Sequence, residues 1–292
     1  MYHEEAHLRK VRVGSRKPWE VKMTLCIAAG CQDYSKSKYI GVPHVVLAHD
    51  YKVETDTASA ETEFKSEQLH PLWYGLLAGP IAEARELLSL YKDLLWSEEI
   101  THQNCLEKLR VPPAKLRWRL ADSHTMATHA MSYGQFLDKG KTQLPEDLFQ
   151  RTCYEVAAQR IEAELILVGY IGGNFHIFEF KGGEIAQRSH FAAIGSGAQI
   201  ASSVLYQREH VFFRSITQAA YTVYEAKLLS EIAPGVGHQT SYVLLGPPTG
   251  DSTELLRNVC VDAEERALRK AFRRFGPKKL DMRGLPDVFR QA

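Results

Sequence analysis

Thr24 directly follows Met23 and opens the short apolar run "TLCIAAGC". A threonine hydroxyl is a poor nucleophile until a base takes its proton. A residue in this place reads in two ways. It is an ordinary strand residue, or it is a nucleophile whose own α-amine becomes the base once the chain upstream is removed. The other reactive residue types do not gather. The five cysteines, Cys26, Cys31, Cys105, Cys153 and Cys260, are odd in number and form no disulfide framework, so a reducing cytoplasm is the simpler reading. Cys26 and Cys31 have no second cysteine or histidine pair at zinc spacing, so no metal site is expected. His124 and His129 stand about 140° apart on a helix and share no face. They, with His44, His49 and His70, read as ordinary histidines.

The bulk properties exclude several classes. The chain has 292 residues, 36 basic and 35 acidic, with a net charge of +1. So balanced a chain has no large field to draw in nucleic acid or an anionic membrane, and neither is an expected partner. No apolar run approaches the eighteen or more residues of a membrane span. Residues 1–22 are polar, with six Lys/Arg and no apolar core segment, and read as an extension rather than a secretory signal. The expected division is 1–23 as an N-terminal extension, propeptide or start-site artefact, 24–260 as the main domain, and 261–292 as a C-terminal helix with a basic tail.

The elements that must position Thr24 follow from periodicity. "TLCIAAGC" and "HVVLAHDYKV" read as a β-hairpin with an enlarged tip, and "LHPLWYGLLAG" as a third strand ending in Gly79. Pro80 opens a helix with Ile81, Ala84, Leu87, Leu88, Tyr91 and Leu95 on one stripe. Helical pattern returns after Pro112-Pro113 and again in "LPEDLFQRTCYEVAAQRIEA". "ELILVGYIGGNFHIFEFKGGEI" then reads as two strands around "GGN". The first is apolar on both faces through Leu165, Ile166, Leu167 and Val168, so both faces are expected to be covered. "HFAAIGSGAQIASSVLYQ" crosses from strand to helix at Gly195-Ser196-Gly197. A helix in "SITQAAYTVYEAKLLSEI", a strand "TSYVLLG" and a last helix "VDAEERALRKAFRRFG" complete the order. Helices do not alternate one-for-one with strands. That predicts an α+β fold of antiparallel sheets with helical layers outside.

The ordered stretches "TLCIAAG", "VVLAHD", "KSEQLHPLWYGLLAG", "LILVGYIGGNFHIFEF" and "AAIGSGAQIASSVL", spanning about residues 24 to 245, resemble the proteasome β-type subunits of the N-terminal nucleophile (Ntn) hydrolases. The resemblance implies a four-layer αββα sandwich with no cofactor. It makes Thr24 the nucleophile and aligns the family's acid with Asp50, its active-site lysine with Lys65 and the serine of its "GSG" turn with Ser196. Gly79 falls at the oxyanion backbone, with Gly195, Gly197 and Glu231 around the site. The reaction implied is cleavage of peptide or amide bonds through an ester on Thr24, after autoprocessing. The alternatives are an inactive Ntn-fold subunit for assembly or binding, and a small-molecule amidase or amide transferase. The family's specificity pocket aligns with Val53, Glu63, Glu67 and Leu77, and its two glutamates imply a basic side chain before the cut. The family's rings imply a homo-oligomer acting on a peptide or protein substrate, with room for an unfoldase or activator.

The chain departs from the family pattern in four places. Met23 stands where propeptides end in glycine, so either translation starts at Met23 or residues 1–23 are removed. The segment from Gln32 to Pro43 is longer than the usual turn. Pro234 stands where a supporting serine is expected three residues after Glu231. "DYKVE" carries Tyr51 and Glu54 where the family has other residues.

Overall fold

The computed structural model describes residues 24–37, 39–54, 59–61, 65–250, 252–260 and 262–277. In chain order the elements are β1 (Leu25–Asp33), β2 (Val42–Asp50), β3 (Lys52–Glu54), β4 (Ser59–Glu61), β5 (Ser66–His70) and β6 (Trp73–Ala78). Five helices follow: α1 (Ile81–Ser97), α2 (Cys105–Leu109), α3 (Val111–His129), α4 (Tyr133–Gln143) and α5 (Glu146–Ala158). Then come β7 (Glu164–Ile171), β8 (Asn174–Lys181), β9 (Glu184–Arg188), β10 (Phe191–Gly195), α6 (Ala198–Gln207) and α7 (Ile216–Ser230). The last are β11 (Thr240–Gly246), β12 (Leu256–Val259) and α8 (Asp262–Phe275).

The fold is mixed α+β, with two five-stranded antiparallel sheets in the orders β10-β1-β2-β11-β12 and β5-β6-β7-β8-β9. A strand turns alternate side chains to opposite faces, and β1 uses both. Leu25, Ile27 and Ala29 pack with residues of α6 and α7, while Cys26 and Ala28 join Tyr74, Leu76, Ile166 and Val168 of the other sheet. β7 behaves alike: Leu165 and Leu167 pack with α1 residues, and Ile166 and Val168 face β1 and β2. This is why its apolar run shows no alternation. Leu268 and Phe272 of α8 pack against the cluster under α6 and α7.

Several elements differ from their sequence reading. The expected third strand is two, because Pro71 and Leu72 turn the chain between β5 and β6. Pro112 and Pro113 lie inside the first turn of α3, where a missing N–H costs no helical bond, so the helix begins before them. The helix expected through Ala163 stops at Ala158. β12 carries no apolar signal, and its four residues are exposed. Among the described residues no helix is long and apolar enough to cross a membrane.

Candidate active site

Thr24 immediately precedes β1 and is 2% exposed. Its neighbour Leu25 pairs with Gly195 at the end of β10, and Cys26 pairs with His49, so β1 stands between the two strands that carry its partners. Asp50 ends β2 fully buried, paired with Thr240 of β11. Lys65 lies just before β5, 3% exposed, and its carbonyl accepts the Leu77 N–H of β6 at 3.0 Å. Two sheets thus bring together one hydroxyl, one carboxylate and one ammonium.

The contacts are short and shared. The Thr24 hydroxyl donates to Asp50 Oδ1 at 2.8 Å. Lys65 Nζ donates to Thr24 Oγ1 and to Asp50 Oδ1, each at 2.5 Å. A buried ion pair holds together only when its remaining polar atoms are satisfied. The second Asp50 oxygen, Oδ2, accepts the Gly237 N–H at 3.0 Å. A hydroxyl between an ammonium and a carboxylate is oriented by both, and the ammonium stabilises negative charge that develops on its oxygen.

The turn after β10 closes over the Thr24 backbone. Gly197 N–H donates to the Thr24 carbonyl at 3.4 Å, and the Ser196 hydroxyl reaches it at 3.3 Å. Ser196 Oγ also lies 2.9 Å from the Pro234 carbonyl. Gly195 has φ +91°, and a Cβ there would sit 2.3 Å from the Thr24 oxygen, so only glycine fits. Glu164, buried at the start of β7, accepts the Gly195 N–H at 2.8 Å. Gly79 also has positive φ, +90°, with Glu162 O 2.9 Å from where a Cβ would stand.

No family model matches the chain, and no curated protein matches it.

The remaining expected residues fall in different places. Glu231 C-caps α7 and pairs with the buried Lys227 and with His238, the latter at 2.7 Å. Lys227 also donates to the His238 carbonyl at 3.0 Å. Glu231 therefore braces the loop that carries Pro234 and Gly237. Glu67 is half exposed and pairs with Lys92 of α1 at 3.0 Å. Leu77 is buried among the apolar residues beneath α1. Leu77 reaches the Thr24 group through its backbone, by the N–H it donates to the Lys65 carbonyl. Val53 pairs with Ala60 in β3–β4, and Glu63 lies outside the described residues. His124 pairs with Glu155, and His129 bonds Thr152. Among the described residues no group of three His, Cys, Asp or Glu is placed to hold a metal.

Sequence reasoning missed Gly237, Lys227 and Glu164. Lys227 had a readable signal, a basic residue four before Glu231. Glu164 had one too, a carboxylate leading an apolar run. His49, beside Asp50, donates from Nδ1 to the Asp50 carbonyl at 3.2 Å and bonds Ser66 through Nε2 at 2.9 Å. Burial pushes its pKa down to about 4, so it stays neutral near pH 7. Burial also pushes the Cys26 thiol far up, which makes it a packing group and no rival nucleophile.

Proposed function

We propose that the chain is an Ntn hydrolase of proteasome β type that cleaves peptide or amide bonds through Thr24. The observation that carries this reading is the Thr24 hydroxyl held by both Lys65 and Asp50 in a buried cluster. The four-layer αββα sandwich of that family is supported by three apolar clusters, one shared by the sheets and one between each sheet and its helices.

In this reading Met23 is removed and Thr24 becomes the N-terminus. Its free amine, with an ordinary pKa of about 8, takes the hydroxyl proton directly or through a water. The oxygen attacks the substrate carbonyl. The Lys65 ammonium favours the neutral amine and the developing alkoxide. Asp50 keeps the ammonium in place, and Ser196 orients the amine or water. A backbone N–H at Gly79 takes the oxyanion. Collapse to a Thr24 ester expels the amine product, and water then releases the acid.

Met23 joined to Thr24 in the sequence supports a second reading, an inactive subunit of the same fold, because an acylated amine is no base. One experiment decides between them. The purified protein is N-terminally sequenced and assayed on a panel of fluorogenic peptides, with Thr24→Ala alongside. The proposal expects a chain beginning at Thr24 and hydrolysis lost in the variant. A chain that keeps Met23, with no hydrolysis above the variant, overturns it.

A further inference from the structure

A cavity of about 1130 Å³, sharing no residue with the Thr24 group, opens between α3, the start of α4, the end of α5 and the β8–β9 turn. Small-molecule pockets run to roughly 1000 Å³, so this one admits a ligand of metabolite size. Arg110, Arg117 and Arg160 line it, against the single carboxylate of Glu184.

Three observations describe the ligand. The first is charge. Arg119, Arg151, Arg188 and Arg208 each pair with a glutamate. Among the described residues the three cavity arginines have no side-chain hydrogen bond or ion pair. Three guanidinium groups around one space repel each other and are relieved by an anion, and their planar forks match phosphate oxygens. The Gly182–Gly183 turn also leaves room for one of them: Gly183 has φ +88°, and a Cβ there would lie 2.8 Å from Arg117 Nη2.

The second is an unmet hydrogen bond. Gln159 lines the cavity, and its Oε1 is buried without a partner. A buried acceptor left unpaired is costly, so turning this side chain into the cavity to meet a ligand N–H or O–H donor is favoured. The third is a flat wall. Trp118 lines the cavity half exposed, with Tyr133 edge-on to it at 4.9 Å between ring centroids. An exposed indole flanked by cations accepts a flat ring.

We propose that this cavity binds a nucleoside phosphate. The phosphates meet Arg110, Arg117 and Arg160, the base lies on Trp118, and a base N–H or ribose hydroxyl donates to Gln159. Neither the binding nor its test depends on whether Thr24 is a nucleophile.

The test is isothermal titration of the full chain with ATP, tripolyphosphate and adenosine at physiological salt. ATP is expected to bind in the micromolar range, with tripolyphosphate and adenosine each weaker by about tenfold or more. Arg117→Ala and Arg160→Ala each weaken ATP by about tenfold. Their circular dichroism and melting temperature stay as in the parent, since both side chains are exposed. Trp118→Ala weakens ATP but not tripolyphosphate. Absence of ATP binding at millimolar concentration overturns the proposal. So does unchanged affinity in the Arg117/Arg160 double variant, tripolyphosphate binding as well as ATP, or tighter binding of a single-stranded oligonucleotide.

Discussion

The Gly237 N–H donates to Asp50 Oδ2 at 3.0 Å, tying the loop after α7 to the end of β2 across 187 residues of chain. Oδ1 is thereby left to Thr24 and Lys65. A carboxylate that accepts from three donors cannot be replaced by a group with one acceptor.

Asp50→Asn turns an NH2 toward at least one of those donors and removes the carboxylate charge that faces the ammonium of Lys65, which is 3% exposed. Removing one partner of a buried pair costs about 3–5 kcal/mol. Urea denaturation of parent and variant at pH 7 measures it, and a loss below about 1 kcal/mol contradicts the shared-carboxylate account.

Lys227→Met keeps the buried stem and removes the ammonium that holds Glu231 and the His238 carbonyl. The loop carrying Pro234 and Gly237 then loses its brace. If Thr24 is the nucleophile, kcat falls about tenfold or more, because Ser196 and Asp50 are positioned through that loop, while KM holds. The readout is steady-state kinetics with Lys227→Arg as partial rescue; a change in KM alone counts against a positioning role.

Gly195→Ala sets a Cβ 2.3 Å from the Thr24 carbonyl oxygen at φ +91°. Strain of this kind costs about 1–3 kcal/mol before any backbone shift. Gly173→Ala has a comparable φ, +88°, but nothing within 4 Å of its Cβ. The melting temperature of Gly195→Ala should fall further than that of Gly173→Ala, and equal losses would show that the close approach to Thr24 adds nothing.

Stability should fall as pH drops from about 6.5 toward 4. Burial lowers the pKa of His49 and of His210 from 6.5 to about 4. In that window the unfolded chain binds protons that the folded chain refuses, so acid favours unfolding. Each histidine contributes about 2 kcal/mol of loss between pH 6.5 and pH 5. His210 donates from Nε2 to the Gly30 carbonyl at 3.0 Å, and its Nδ1 is buried without a partner, so protonation gains nothing there. Chemical denaturation of parent and His210→Gln at both pH values checks this; the variant should show the shallower pH dependence.

Much of this was legible in the residues alone. Short apolar runs gave β1, β2, β7 and β8, apolar spacing on one helix face gave α1 and α7, and the acidic start and basic end gave α8. The unbroken apolar run of Leu165 to Val168 foretold cover on both faces, and two clusters provide it. The β5–β6 turn was missed because Pro71 and Leu72 interrupt a run whose hydrophobicity does not drop. β12 was missed because an exposed edge strand is held by its backbone and carries no side-chain pattern.

The candidate site divides in the same way. Thr24, Asp50 and Lys65 could be named through the order of stretches that resembles the Ntn hydrolases, but their meeting depends on strand pairing across two sheets. The Gly237 N–H and the Pro234 carbonyl could not be named, since every residue has a carbonyl and nearly every one an amide. Sequence by itself determined most of the long strands and helices and which side chains could do chemistry. Only the tertiary structure decided which backbone groups complete the cluster and that Glu67 and Leu77 turn to α1, because register and packing are set by contacts between residues far apart in the chain.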